Sequence, residues 1–248
     1  MSFTNSSMVA YTKLSPNHSG QRTHSIDRIT PHCVVGQCTA EGLGDWFAKS
    51  STKASSNYGI DKDGRVGLYV EEKNRSWCSS SNANDQRAVT IECASDTSEP
   101  YAFRDVVYQK LIVLCVDICK RNGKKKLLWF GDKEKTLNYS PKADEMVLTV
   151  HRWFANKACP GDYLYSRMGD IAKQVNARLE GDTMTGEEIY KELTAYTASL
   201  PLPEWAKEEL EEAVAMGITD GTDPMGLIPR YQAAIMAKRA VQGGKVRT

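Results

Sequence analysis

Between residues 28 and 35 the run RITPHCVV is rich in apolar and β-branched residues and predicts a strand that carries His32. Thr39 then offers a helix cap ahead of Leu43, Trp46 and Phe47, which share one helical face. The segment NYGIDKDGRVGLYV predicts a hairpin with Tyr58 on its first arm, turning at Asp63-Gly64, because an Asp-Gly pair takes up the positive φ values of a tight turn. AVTIECA predicts a further strand bearing Glu92. In DVVYQKLIVLCVDICKRNG the period lengthens to that of an amphipathic helix, capped by Asp105 and closed by a basic last turn and Gly123. The polar, lysine-rich stretch 124–144 reads as a surface excursion, after which VLTVH returns to strand character and ends on His151. A last long helix is expected from near Asp162 to Leu179.

Strands followed by helices in this rhythm predict an α/β domain over residues 1–180, a mixed central β-sheet flanked by helices. The composition then shifts. Residues 181–200 read as a polar linker with a short helix, and Leu200-Pro201-Leu202-Pro203 punctuates the chain before a small α-helical module over 201–248. There Trp205, Leu210, Ala213 and Val214 form one helical face, Gly217 ends that helix, and Pro229 opens a second containing Ala233, Ile235 and Met236.

A chain of 248 residues with 41% hydrophobic positions can bury one good core and a small second domain. Its 32 basic and 31 acidic residues leave a net charge of +1, so no strong field exists to attract nucleic acid or an anionic membrane, and neither is expected as a partner. The N-terminus lacks a basic region followed by an apolar one, and no stretch approaches the ~20 apolar residues of a membrane span. Seven cysteines, an odd number lying mainly in apolar runs, suit a chain made in reducing cytosol.

The candidate chemistry concentrates in HRWFANKACPG, where His151 and Cys159, two potential metal ligands, bracket the base Lys157. A catalytic zinc site takes three protein ligands and keeps its fourth position for water. Of the four histidines, His18 and His24 fall in a polar N-terminal segment with no predicted regular structure, which leaves His32 as the natural third ligand. Taken alone, a strand histidine is more often a satisfied structural residue than a ligand.

In order along 27–179, the motifs ITPHCVVG, SSNYGIDKDGRVGLYVEE, RSWCSSS, AVTIECA and HRWFANKACPG resemble the type 2 N-acetylmuramoyl-L-alanine amidases, the superfamily that includes phage endolysins and peptidoglycan recognition proteins. The resemblance implies zinc on His32, His151 and Cys159, with Tyr58 and Lys157 beside the reacting carbonyl and Glu92 near the metal to orient or deprotonate water. It implies peptidoglycan as substrate, cut at the amide between N-acetylmuramic acid and L-alanine, with the ion acidifying a water and polarising the carbonyl. Trp77 and Trp46 are the aromatic residues expected along a substrate groove, with core packing as the alternative use of each. Cys78 departs from the pattern, since it follows Trp77 where many relatives carry histidine.

An alternative of another class is a non-catalytic peptidoglycan-binding recognition module, as in relatives that lack the metal cysteine; Cys159 together with both histidines favours the enzyme. No cysteine stands in a recognisable nucleophile context, which argues against a cysteine peptidase. In the C-terminal module, WAKEELEEAVAMGITDGTD and LIPRYQAAIMAKR resemble one S-layer homology motif, which implies binding to a secondary cell-wall polymer. A lone helical hairpin buries little surface, so docking on the amidase domain or homo-oligomer formation is expected as well. Synthesis in a bacterial host's cytoplasm without a signal peptide, then release to the wall through holin pores, is the expected route for a phage-borne or prophage lysin.

Overall fold

Alternate residues of RITPHC and AVTIEC are apolar and polar, and this period of two decides what each face of the sheet does. The computed structural model describes residues 3–181, 186–222 and 224–242. Its strands are β1 (Val9–Thr12), β2 (His18–Gln21), β3 (Arg28–Cys33), β4 (Tyr58–Ile60), β5 (Val66–Leu68), β6 (Asn74–Ser76), β7 (Ala88–Cys93), β8 (Lys126–Leu128) and β9 (Glu145–Leu148). Seven of them form one sheet in the order β1-β5-β4-β7-β3-β9-β8, and β2 pairs with β6 in a separate two-stranded ribbon. The large sheet is mixed: β4 and β5 are an antiparallel hairpin, and every other neighbouring pair is parallel. Gly64, at φ +80°, makes the hairpin turn at the expected place.

Strands β3 and β7 run in register, with Ile29 beside Val89, Thr30 beside Thr90 and His32 beside Glu92. Ile29, Val89, Ile91 and Cys93 are fully buried in the main core. Helices α3 (Asp105–Arg121) and α5 (Gly161–Gly181) supply that core with Val107, Leu111, Ile112, Leu114, Leu164 and Ile171 among others. The opposite face carries Thr30, His32, Thr90 and Glu92. Helix α1 (Ala40–Phe47) lies on this second face over β4 and β5: a Cβ on Gly59, the neighbour of Glu92, would come within 2.7 Å of Leu43 and of Tyr69. Thr39 caps α1 by accepting from the Gly42 amide at 3.0 Å. Beyond α1, the segments around residues 78–80 and 151–160 reach the ends of β7 and β3 through Cys78 and Cys159.

Several local expectations change. The N-terminal segment, expected without regular structure, forms β1 and β2. The supposed surface excursion contains the edge strand β8 and a helix, α4 (Lys133–Asn138). Asp105 is the first residue inside α3; the cap position belongs to Arg104, whose side chain makes no capping bond. A six-residue helix, α2 (Asn82–Arg87), precedes β7.

Residues 1–182 and 183–248 form separate units. The second holds α6 (Gly186–Ala198), which falls in the stretch expected as a linker, then α7 (Ala206–Ala215) and α8 (Arg230–Val241). Residues 182–185 of the expected linker and 243–248 of the tail lie outside the described residues. Among the described residues of this unit none is buried. No helix among the described residues is long and apolar enough to cross a membrane.

Candidate metal centre

His32 stands near the C-terminal end of β3 and is fully buried. Three residues beyond the end of β9, His151 opens a 3-10 turn, His151–Trp153. The turn is anchored from both sides: the Thr149 hydroxyl bonds Thr30 Oγ1 at 2.7 Å, and the buried Trp153 ring stacks on Trp129 at 5.1 Å with 3° between planes. The chain then doubles back, the Arg152 amide donating to the Cys159 carbonyl at 3.0 Å. Gly161, at φ +78°, starts α5 where any Cβ would lie 2.8 Å from the Pro100 carbonyl oxygen. This closed loop brings Cys159 Sγ to 3.3 Å from His32 Nδ1, while the rings of His32 and His151 lie 5.0 Å apart.

Ligand-type atoms of His32, His151 and Cys159 all lie within 4.8 Å of one another. Metal–ligand bonds of about 2.0–2.3 Å in a tetrahedron put ligand atoms roughly 3.3–3.8 Å apart, so the His32–Cys159 edge already fits a bound zinc. Two further observations agree. His32 Nδ1, the ring nitrogen that faces Cys159 Sγ, also faces Glu92 Oε1 at 3.9 Å, so the ring turns this nitrogen towards groups that can bind a cation. His151 Nε2 is 2.9 Å from the Ser80 hydroxyl, which leaves its Nδ1 as the nitrogen open to a cation and fixes the ring as an outer hydrogen bond does in metal sites.

Glu92 lies beside His32 in the sheet, its Oε1 3.9 Å from His32 Nδ1 and 3.6 Å from Cys78 Sγ, and its Oε2 is buried without a partner. Burial raises its pKa to about 8, against a smaller opposing pull from the Cys78 hydrogen bond. Burial, reinforced by His151, holds His32 well below the ordinary imidazole value, and burial with the nearby Lys157 charge lowers His151. The Cys159 thiol is pushed well up by its hydrogen bond with Cys33 and by burial, and Cys78 well up by burial and the Glu92 charge. Burial thus disfavours the charged form of each of these groups while no cation is present to offset it.

The structure does not bring Tyr58 to this site. Tyr58 pairs with Ile91, one residue out of step with Glu92, so its ring enters the opposite, apolar face. There its hydroxyl donates to Glu72 Oε1 at 2.7 Å and accepts from the Ser6 amide at 2.8 Å, with Arg121 of α3 on the same carboxylate at 2.6 Å. Lys157 is exposed on the ligand loop, near enough to act on His151. Trp77 is half-buried, its indole donating to Ser19 Oγ at 2.7 Å. Trp46 is half-exposed and stacks on Phe47 in a small cluster with Leu43 and Tyr69, apart from the ligands.

The residues that hold the outer layer escaped sequence reasoning. Buried Asp85 of α2 accepts from the amides of Cys78 and Ser79 and from the Ser79 hydroxyl. Asn84 donates to Thr30 at 3.0 Å and accepts from Thr149 at 3.1 Å, tying α2 to β3 and to the segment that leads from β9 to His151. The only signal was the polar run SSSNAND, in which Ser81 caps α2 through the Asn84 amide.

A family model described as N-acetylmuramoyl-L-alanine amidase, Amidase_2, matches residues 22–162, more than half of the chain and all of the cluster just described. The chain belongs to this amidase family. Its members hydrolyse the bond between N-acetylmuramic acid and L-alanine in peptidoglycan. Among solved structures the amidase chain is similar to the Ph2119 endolysin from a Thermus scotoductus bacteriophage, with 17% identity and a TM-score of 0.44 over 64% of this chain and 90% of that one. The amidase LysC from Clostridium intestinale has 14% identity and a TM-score of 0.43, over 61% and 85%. The Staphylococcus aureus hydrolase AmiA, solved with its ligand, has 14% identity and a TM-score of 0.46, over 67% and 79%. No curated protein matches the amidase chain significantly. The family match ends at residue 162, before the C-terminal helices.

Proposed function

We propose that this chain is a zinc-dependent N-acetylmuramoyl-L-alanine amidase acting on bacterial peptidoglycan, with His32, His151 and Cys159 holding the ion. The observation that carries the reading is the convergence of one buried and two half-buried ligand side chains, from β3 and the loop after β9, within 4.8 Å of one another. When bound there, zinc would supply the Lewis acidity that amide hydrolysis lacks at neutral pH, acidifying a water and polarising the lactyl carbonyl.

The chain's own groups do the rest. Glu92, beside His32 in the sheet and with one buried oxygen free of partners, is placed to take the proton of the attacking water and return it to the departing alanine nitrogen. Lys157, exposed on the loop between His151 and Cys159, offers its ammonium to the negative charge that develops on the carbonyl oxygen, worth roughly 3 kcal/mol for one well-placed donor. Ser80 holds the His151 ring in one orientation. The C-terminal helices expose Trp205 at 76% and Tyr231 at 64%, and we read them as the part that attaches the enzyme to the wall, through a secondary polymer or by pairing copies of the chain.

Mass spectrometry of digested walls tests the reaction. The zinc-loaded protein should release peptides with new alanine N-termini and leave free lactyl groups on the sugar. Removal of zinc by chelation and dialysis should abolish this, and added zinc restore it. Undiminished release after zinc has been stripped, or cleavage at another bond, contradicts the proposal.

A further inference from the structure

His32 belongs to two ligand sets. Beside the first lies His32 with Cys78 and Glu92, again with one ligand-type atom from each residue within 4.8 Å of the others. The same His32 Nδ1 that stands 3.3 Å from Cys159 Sγ stands 3.9 Å from Glu92 Oε1, and Glu92 Oε1 stands 3.6 Å from Cys78 Sγ. These edges approach the roughly 3.3–3.8 Å of a tetrahedral zinc site. In this corner Glu92 Oε2 is buried without a hydrogen-bond partner, and His32 itself is fully enclosed. Nor is the thiol placed by chance: the Cys78 amide donates to Asp85 Oδ2 at 3.1 Å, and the next residue is held by the same buried carboxylate.

We propose that His32, Cys78 and Glu92 form a second seat for the divalent ion, so that an ion held by His32 can take either His151 and Cys159 or Cys78 and Glu92 as its other protein ligands. This rests on the metal-centre reading above. Because both seats use His32, the chain binds one ion at a time. The second seat favours a thiophilic cation such as zinc, cobalt or cadmium over magnesium or calcium, since it contains a thiolate and only one carboxylate. Occupying it releases the Cys78 proton to solvent, with that of Glu92 where the carboxyl carries one.

Cobalt(II) serves as the probe, because each thiolate ligand adds a near-ultraviolet charge-transfer band. The full chain is titrated with cobalt as wild type, Cys159→Ser, Cys78→Ser and the double variant, following that band and the bound metal per chain. Wild type should bind one cobalt. Cys159→Ser should still bind one and keep a thiolate band, which the further Cys78→Ser change removes while weakening binding by at least ~10-fold. A Cys159→Ser protein without the band, or a double variant that binds as the single one does, overturns the second seat. Should Cys159→Ser fail to fold, alkylation of the unmutated chain by iodoacetamide decides: one equivalent of cobalt should slow modification of Cys78, and an unchanged rate overturns the proposal. If wild type binds no cobalt, the amidase reading falls along with this one. If wild type binds cobalt and only Cys78 is indifferent, the amidase reading stands alone.

Discussion

Tyr58 and Gly59 are adjacent, yet they serve opposite faces of the sheet. Side chains alternate along a strand, so a shift of one residue moves a group from the chemical face to the core. Gly59 lies beside Glu92, and Tyr58 lies beside Ile91. The expected role of Tyr58 at the carbonyl therefore fails on parity. Its hydroxyl is structural, bridging the Ser6 amide and the buried Glu72 carboxylate. Tyr58→Phe should leave turnover of wall substrate unchanged and lower the stability measured by urea unfolding by about 1–3 kcal/mol, the usual cost of leaving buried partners unsatisfied. A large loss of turnover with unchanged stability would restore the catalytic role. The parity was available in the sequence, since His32 and Glu92 alternate with apolar neighbours in the same way, but fixing which face Tyr58 shares required the β4–β7 register.

At the scale of elements, what could be read was long or strongly periodic. The runs that became β3, β7, α1, α3 and α5 each carry enough alternating or helical pattern to declare themselves. Edge strand β8 has three residues and follows lysines, β1 and β2 have four each, and α2 is a six-residue helix without a large apolar side chain, so none of them had a pattern to show. The proposed metal ligands divide in the same manner. His151 and Cys159 sit eight positions apart on one loop and announce themselves locally. His32 joins them because β3 pairs with β9 as Arg28 beside Val147 and Ile29 beside Leu148, a tertiary fact that the sequence conveyed only by elimination among its four histidines and through resemblance. Ser80, at φ +61° and reaching His151 across 71 residues of chain, had no local signal at all.

Across the whole molecule, the amidase unit has a continuous core on one face of its sheet, whereas the C-terminal unit has no buried residue among those described. A helical unit that buries so little gains too little to offset its own ordering entropy, which suits a part completed by something else. Protein ending at Gly181 should therefore keep amidase turnover on soluble muramyl peptides while sedimenting less with purified walls than the full chain does. Equal sedimentation of both would remove the attachment role. The claim on which the enzyme reading depends is more local, and anomalous diffraction at the zinc edge, from crystals of the full chain grown with zinc, addresses it directly. The account predicts one strong peak at bonding distance, about 2.0–2.3 Å, from His32 Nδ1, a ring nitrogen of His151 and Cys159 Sγ. No peak there, or a peak that touches none of the three, would contradict it.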